Sequence, residues 1–193
     1  MPAKLQLMKT DIIFPNNNER EFAQIAEKLG YEQLIFVYRN NIPKLNDVKT
    51  SINIIQRKST NFIVEGNDKL RYYLESTPVK IVYSLENRMQ KDFIHQKASG
   101  LNHILCKIAQ EKGKTIGFSF SQILNSNGIE QARIIGRIKQ NIILCRKYKT
   151  KMFIGSFACH PFEMRAVNDL QDFFKVIGMT GMEVKEGVQL KLL

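Results

Sequence analysis

The sequence predicts an α/β fold in which parallel strands close into a short barrel. Short apolar runs alternate along the chain with amphipathic segments, and scattered glycines and prolines separate them. The runs are apolar nearly throughout, as in strands buried on both faces. Strand–helix alternation repeated six or seven times requires a parallel sheet with helical crossovers.

The strands are predicted from the apolar runs and the turn residues that end them. Pro15 and the following asparagines, for example, end the first run. The predicted strands are residues 7–14, 33–38, 60–65, 79–84, 115–120 and 152–157, with a further short one at 92–95.

The helices are predicted from apolar spacing and end signals. In 99–112, Ser99 is a candidate cap, and Leu101, Ile104, Leu105 and Ile108 follow the i, i+3, i+4, i+7 pattern. The other predicted helices are 18–29, 67–76, 129–149 and 166–177, together with a weakly helical segment at 45–57.

Two architectures satisfy this order of elements, an open doubly wound sheet and a closed barrel. The number of units favours the barrel, but 193 residues fall just under the roughly 200 usual for eight units. We therefore expect a short TIM-barrel-like (β/α) barrel, forming a single domain over 1–193 because no linker or repeat divides the chain. In either form, function is expected where strands end and the following loops begin.

Charge gives the first indication of function. Lys and Arg number 29 against 18 Asp and Glu, a formal net charge of +11 that attracts polyanions, nucleic acid above all. No apolar run approaches the roughly 20 residues of a membrane helix, so no membrane partner is expected. The N-terminus lacks the apolar core of a secretory signal, and the three cysteines form no CxxC pair, which together favour a cytoplasmic protein.

Motifs for protein-based catalysis are absent from the sequence. His95, His103 and His160 form no H-x-H or HExxH pattern, and there is no G-x-S-x-G or P-loop. We therefore expect neither catalytic residues nor metal ligands. A stand-alone barrel phosphoesterase or nuclease remains an alternative and requires Asp11, Glu65, Glu86 and His95 to converge; an interaction scaffold with incidental charge is a third possibility.

Seven basic residues are the candidate RNA contacts. From Glu130 to Lys151 the chain has seven cations against one acid, whereas a solvated helix more often interleaves the two signs. The i, i+4, i+7 spacing places Arg133, Arg137 and Gln140 on one face, opposite the isoleucines. Four candidates follow predicted strands and three belong to this helix: Arg39, Arg88, Lys97 and Arg165, and Arg133, Arg137 and Lys139. Without interleaved aromatic residues, we expect recognition of folded RNA through shape and phosphate.

The stretch 92–125 contains a specific order of residues: Asp92, Ile94-His95, the Gly100-Leu101-Asn102-His103 turn that opens a helix, the strand 116–120 and Ile123-Leu124. This order resembles the archaeal ribonuclease P protein component 3 family, which is related to the p30-type subunit of the eukaryotic enzyme. Further matches follow in the same order over about residues 60–180, among them Glu65-Gly66, Ser84-x-Glu86, Ala132-Arg133, Arg165, Asp169-Leu170 and Gly178-Met179.

The resemblance implies a non-catalytic subunit of the ribonucleoprotein that removes the 5′ leader from precursor tRNA. It implies a barrel akin to the polymerase and histidinol phosphatase group, whose metal ligands are missing from this sequence. Catalysis is then expected in the RNA, with Mg²⁺ bound mainly there and no cofactor bound by this chain. The implied partners are ribonuclease P RNA, ribonuclease P protein component 2 and other small subunits, and precursor tRNA indirectly. An exposed apolar patch around 101–112, or at the edge after 116–124, would mark the protein contact.

Overall fold

The computed structural model describes residues 8–45, 48–87, 91–94 and 96–190. Within these ranges, seven strands pair in parallel as two groups, β1-β2-β3 and β4-β5-β6-β7. The strands are β1 (Thr10–Ile13), β2 (Gln33–Tyr38), β3 (Asn53–Lys58), β4 (Ile63–Glu65), β5 (Ile81–Tyr83), β6 (Thr115–Ser119) and β7 (Lys151–Gly155).

Helices surround the strands and cover the outer faces of both groups. They are α1 (Glu19–Lys28), α2 (Ser59–Phe62), α3 (Leu70–Ser76), α4 (His103–Glu111), α5 (Phe120–Leu124), α6 (Gly128–Tyr148), α7 (Val167–Val176) and α8 (Gly181–Gly187). A 3₁₀ turn, Pro161–Glu163, follows β7. Among the described residues, no helix combines the length and apolar character needed to cross a membrane.

The barrel closes where β1 meets β7. A parallel bridge joins Ile13 to Ala158, and the N–H of Phe14 donates to the carbonyl of Ala158 at 2.9 Å. On the opposite side, β3 runs through the single turn α2 into β4, so these two short strands occupy consecutive stretches of one interrupted strand. The parallel, TIM-barrel-like architecture predicted from the sequence is confirmed, with a seam at the β3–β4 break.

Two apolar clusters stabilise the barrel, one inside it and one between strands and helices. Ile12, Ile35, Ile81 and Phe153 belong to the inner cluster. Their chain neighbours Ile13, Leu34, Val82 and Ile154 belong to the outer one. This division follows from the two-residue period of a strand, which sends successive side chains to opposite faces.

The structure corrects three predicted strand or helix assignments. The segment 45–57 is not helical where it is described, since its second part enters β3, which pairs in parallel with β2 from Asn53 to Lys58. Strand pairing in the tertiary fold thus overrides a weak helical pattern. The segment 60–65 begins with the helical turn α2, and Asp92–Ile94 form no strand, while His95 lies outside the described residues.

Helix ends also differ from the sequence-based expectation. Helix α4 begins at His103, because the side chain of Asn102, not Ser99, accepts a hydrogen bond from the N–H of Leu105 at 2.9 Å. Helices α5 and α8 were not predicted. The Thr180–Glu183 capping box, visible in the sequence as T-x-x-E, starts α8.

Candidate nucleic-acid interface

Aromatic rings fill the mouth of the barrel at the carboxyl ends of the strands. Tyr83 stacks on Phe157 with ring centroids 4.8 Å apart and planes 3° from parallel, and Phe14 stacks on the other side of Tyr83 at 5.5 Å. Phe153 meets Phe157 edge-on from below. Barrel enzymes bind their substrates at this end, so in this chain the stacked rings occupy the usual place of an active site.

Phe157 is held there by a close fit. Its side chain is 2% exposed, and its backbone has φ +51°, a left-handed value uncommon for a bulky residue. A Cβ on Gly117 of β6 would lie 2.8 Å from Cζ of Phe157, so only glycine leaves room for the ring. Burial raises the pKa of Tyr83 and keeps its hydroxyl protonated.

The acidic residues required by the enzyme alternative do not converge. Asp11 is buried and accepts hydrogen bonds from the N–H and hydroxyl of Ser156 at 2.7 and 2.6 Å. Burial raises its pKa to about 6. Glu65 is exposed at the end of β4, and Glu86 is buried against α6. Within the described residues, which exclude His95, no three His, Cys, Asp or Glu residues form a group able to hold a metal ion.

Glu86 anchors the segment that follows β5 to helix α6. Its Oε1 accepts a hydrogen bond from Asn141 Nδ2 at 2.6 Å, and burial raises its pKa to about 7. Asn141 Nδ2 also donates to the carbonyl of Ser99 at 3.0 Å. Gln140 exchanges two hydrogen bonds with the backbone of Lys97, each 2.9 Å. One face of α6 is therefore covered by described residues between Glu86 and Ser99.

Arg137 belongs to this anchor, which contradicts its predicted contact with RNA. Its side chain is 1% exposed; Nε donates to Asp92 Oδ1 at 2.8 Å and Nη1 to the carbonyl of Glu86 at 2.9 Å. The sequence correctly predicted that Arg133, Arg137 and Gln140 share a helix face. That face is not free for RNA, because Glu86, Asp92 and Lys97 pack against it, and the Arg137 guanidinium has a structural role.

The other predicted contacts are scattered. Arg39 is exposed at the end of β2, Lys139 is exposed beside Gly178, and Arg133 is half-buried. The exposed Lys97 has Nζ 3.9 Å from Asp92 Oδ2, so the structure brings it together with Arg137. Arg88 lies outside the described residues.

Arg165 is already engaged within the chain. Its Nη1 donates to the carbonyls of Phe162 and Met164 at 2.9 and 2.8 Å, and its guanidinium lies 5.5 Å from the centre of the Phe120 ring. RNA contact through the described residues of this set other than Arg137 stays a prediction.

A lysine-rich surface lies at the opposite end of the barrel and was missed in the sequence. Lys80, Lys112 and Lys149 lie exposed in the turns before β5, β6 and β7, Lys151 is the exposed first residue of β7, and Lys114, directly before β6, is buried beside them. The pairing of Ile81 with Thr115 and of Thr115 with Lys151 sets these turns side by side. Burial, together with the charges of Lys80 and Lys112, lowers the pKa of Lys114.

The sequence carries a signal for this lysine surface. A lysine directly precedes or begins each of three successive strands, at Lys80, Lys114 and Lys151. Because parallel strands all start at the same end of a sheet, these lysines had to be neighbours. They lie at the amino ends of the strands, whereas barrel enzymes carry their sites at the carboxyl ends.

Comparison with known families decides what kind of protein this is. The model of the family described as RNase P subunit p30 matches residues 89–192, more than half of the chain. The chain belongs to the RNase P subunit p30 family. The match includes α4, α6 and β7, and with them Arg137 and Lys151.

Curated relatives of this p30-family chain are archaeal. Ribonuclease P protein component 3 of Methanococcus vannielii is 25% identical over 174 residues, which cover 86% of this chain and 72% of the relative. The same protein of Methanosarcina mazei is 26% identical over 181 residues, covering 84% and 76%. The chain is thus a protein subunit of ribonuclease P, as the resemblance implied.

Solved structures agree on the fold of the p30-family chain. A chain in the cryo-EM structure of archaeal ribonuclease P with mature tRNA has a TM-score of 0.71 at 16% identity, covering 92% of this chain and 85% of that one. The crystal structure of A. niger ochratoxinase gives a TM-score of 0.53 at 12% identity, covering 94% and 69%. Both structures are similar to this chain in their barrel fold.

Proposed function

We propose that this subunit holds the RNA of ribonuclease P through phosphate contacts, in a particle that removes the 5′ leader from precursor tRNA. In this proposal the RNA performs catalysis with Mg²⁺ bound to it, and the chain binds no cofactor and contacts precursor tRNA indirectly, in the cytoplasm. The names of the curated relatives support the assembly, and a structural relative was solved with mature tRNA.

The unpaired lysines at the start of β5–β7 are the observation that carries RNA binding. Lys80, Lys112, Lys149 and Lys151 are exposed, and none forms an ion pair within the described parts of the chain. Adjacent like charges without acidic partners destabilise a free protein and gain most when phosphates neutralise them. The exposed Arg39 and Lys139, with Lys97 and Arg133, supply further candidate contacts along the barrel.

A salt titration of RNA affinity tests the proposal. Neutralising about six phosphates predicts a log–log slope of roughly −4 to −5 for ribonuclease P RNA, measured by filter binding between ~50 and ~200 mM salt. Each Lys→Ala or Arg→Ala change at a phosphate contact should flatten the slope by about 0.7 to 0.9. An affinity that does not depend on salt would rule the proposal out.

For the protein partner, we propose that ribonuclease P protein component 2 docks on an apolar patch beside the barrel mouth. Ile129 and Phe162 are each 85% exposed, and Leu124 lies nearby on α5. A hydrogen bond of 3.0 Å from Asn125 Nδ2 to Glu163 Oε1 joins the two stretches that carry the patch. This is the edge after 116–124 that the sequence indicated, and apolar patches of this kind are typical of protein contacts.

Size-exclusion chromatography of the chain mixed with component 2 tests this contact. The double variant Ile129→Ser/Phe162→Ser should fail to form the complex, whereas Val176→Ser, an equally exposed apolar residue on α7, should form it normally. A complex that survives the double change would place the partner elsewhere.

A further inference from the structure

A cavity opens at the seam of the barrel, away from the mouth. It has a volume of about 650 Å³, within the range of small-molecule sites. Its walls are β3 and α2 on one side and the first residues of β5, β6 and β7 on the other, with the end of α8 and the residues after it below.

The interrupted strand explains why this cavity exists. The chain passes from Lys58 through α2 to Ile63, so β3 pairs with β2 and β4 pairs with β5, but no described strand pairs with the second edge of β3. Beside Gln56 and Lys58 the wall is therefore not closed by a described strand, and the loop before β3 contacts it there, with Gln56 Nε2 donating to the carbonyl of Pro43 at 2.9 Å. A regular crossover helix would fill the space that β3–α2–β4 leaves free.

The cavity is strongly positive. Arg57, Lys58, Lys80 and Lys151 line it, and among the described lining residues only Glu186 carries a carboxylate. None of the four cations forms an ion pair with another described residue. A concave site with apolar walls concentrates such a field, so it attracts an anion more strongly than the same charges on a convex surface would.

The uncharged residues of the lining indicate a ligand with an apolar part as well as an anionic group. Phe62, Ile81 and Leu190 give the cavity an apolar floor, and the amides of Asn61 and Gln189 lie at its edge. A phosphate needs the cations but gains nothing from the floor. A planar base attached to a phosphate uses both, stacking on the ring and aliphatic side chains while amide groups bond its edge.

We propose that this seam cavity binds one nucleotide, its phosphate held by Arg57, Lys80 and Lys151 and its base on the Phe62–Leu190 floor. The nucleotide is either free or an unstacked nucleotide of an RNA, since both present the same groups. The inference rests on the cavity alone, and the free-nucleotide form holds whether or not the proposed RNA function does.

Calorimetric titration of the full chain with adenosine 5′-monophosphate, adenosine and inorganic phosphate tests the site. The nucleotide should bind at least tenfold more tightly than adenosine or phosphate alone, because adenosine uses only the apolar part of the lining and phosphate only the cations. Lys80→Ala/Lys151→Ala should weaken nucleotide binding at least tenfold, and Lys107→Ala, an exposed lysine of α4 outside the cavity, should not change it.

A second arm separates the sources of the nucleotide. A single-stranded RNA carrying 4-thiouridine is cross-linked to the chain, and the modified peptides are identified by mass spectrometry. Cross-links at 56–62 or 186–190 that the double variant loses support an RNA nucleotide, even if the free nucleotide does not bind. Nucleotide binding without cross-links supports a free ligand.

Three outcomes would overturn the inference. Phosphate binding as tightly as the nucleotide without cross-links would reduce the cavity to an anion site. Polyglutamate binding that requires Lys80 and Lys151, without nucleotide or RNA binding there, would assign it to an acidic protein segment. Absence of both binding and cross-links, with the salt slope for ribonuclease P RNA intact, would overturn the cavity proposal and leave the proposed function standing.

Discussion

The two ends of this barrel differ from those of a barrel enzyme in packing, charge and open space. The carboxyl ends of the strands, where barrel enzymes bind substrates, are closed by the stacked rings of Phe14, Tyr83 and Phe157. The opposite end, which in such enzymes serves stability, carries unpaired lysines and an open cavity. In this barrel, packed aromatic rings therefore fill the end at which enzymes bind substrate, and the candidate binding surface lies at the opposite end. The position of a site follows from charge and space, and fold class alone does not fix it.

Removing a ring from the mouth should have the largest effect. Phe157→Ala leaves a cavity in the inner cluster and should lower the free energy of unfolding by about 3–5 kcal/mol, measured by urea denaturation. Phe162→Ala, with its exposed ring, should change it by less than about 0.5 kcal/mol. If Phe157→Ala instead weakened RNA binding at unchanged stability, the mouth would be a binding site and its rings would not serve packing alone.

Breaking the buried anchor beside the mouth should come next. Arg137→Met removes the guanidinium hydrogen bonds to Asp92, which keeps the N–H of Ala98, and to the carbonyl of Glu86, and it should cost about 3 kcal/mol of stability. The folded variant should keep the salt slope of RNA binding. Lys139→Met on the exposed side of α6 is the control, and its stability should stay within about 0.5 kcal/mol. If Arg137→Met flattened the salt slope of RNA binding at wild-type stability, this residue would be an RNA contact after all.

The Glu86 carboxyl should give stability a pH dependence. Its pKa rises from 4.5 to about 7 on folding, so between these values the folded state binds more protons than the unfolded state. The free energy of unfolding should therefore fall as pH rises from 4.5 to 7, by up to about 1.4 kcal/mol per pH unit, and level off above 7.

Glu86→Gln, followed by denaturation at several pH values, isolates this contribution. The variant should lose the slope between pH 6 and 7, whereas a slope from Asp11, whose pKa is raised to about 6, persists below. An unchanged slope above pH 6 would mean that Glu86 is already ionised in the folded protein.

Removing single charges at the two ends should give the smallest effects. These variants compare RNA binding at the two ends most directly. Lys80→Ala and Lys151→Ala at the lysine-rich end should each flatten the salt slope by about 0.7 to 0.9. Arg39→Ala at the mouth should do the same, because its guanidinium is exposed and forms no ion pair in the described residues. An unchanged slope in one of the two sets would confine the phosphate contacts to the other end.

The sequence by itself determined the architecture of the protein and indicated its class of partner. Apolar runs at 33–38 and 115–120, buried on both faces, predicted a parallel sheet, and the excess of cations favoured an anionic partner. These properties depend on local composition and period, which a single chain displays. The order of residues around Asn102 and His103 is also sufficient to indicate the family.

The tertiary structure alone decided which residues are free to bind. Periodicity placed Arg137 on the polar face of α6, but it could not show that Glu86 and Asp92 lie against that face and that the guanidinium is buried there. Nor could a weak pattern at 45–57 reveal β3, which exists because β2 offers it a parallel edge. The seam cavity follows from the same pairing. Contacts between residues far apart in sequence leave no period in either segment, so burial of a charge and the opening of a wall become visible only when the chain is folded.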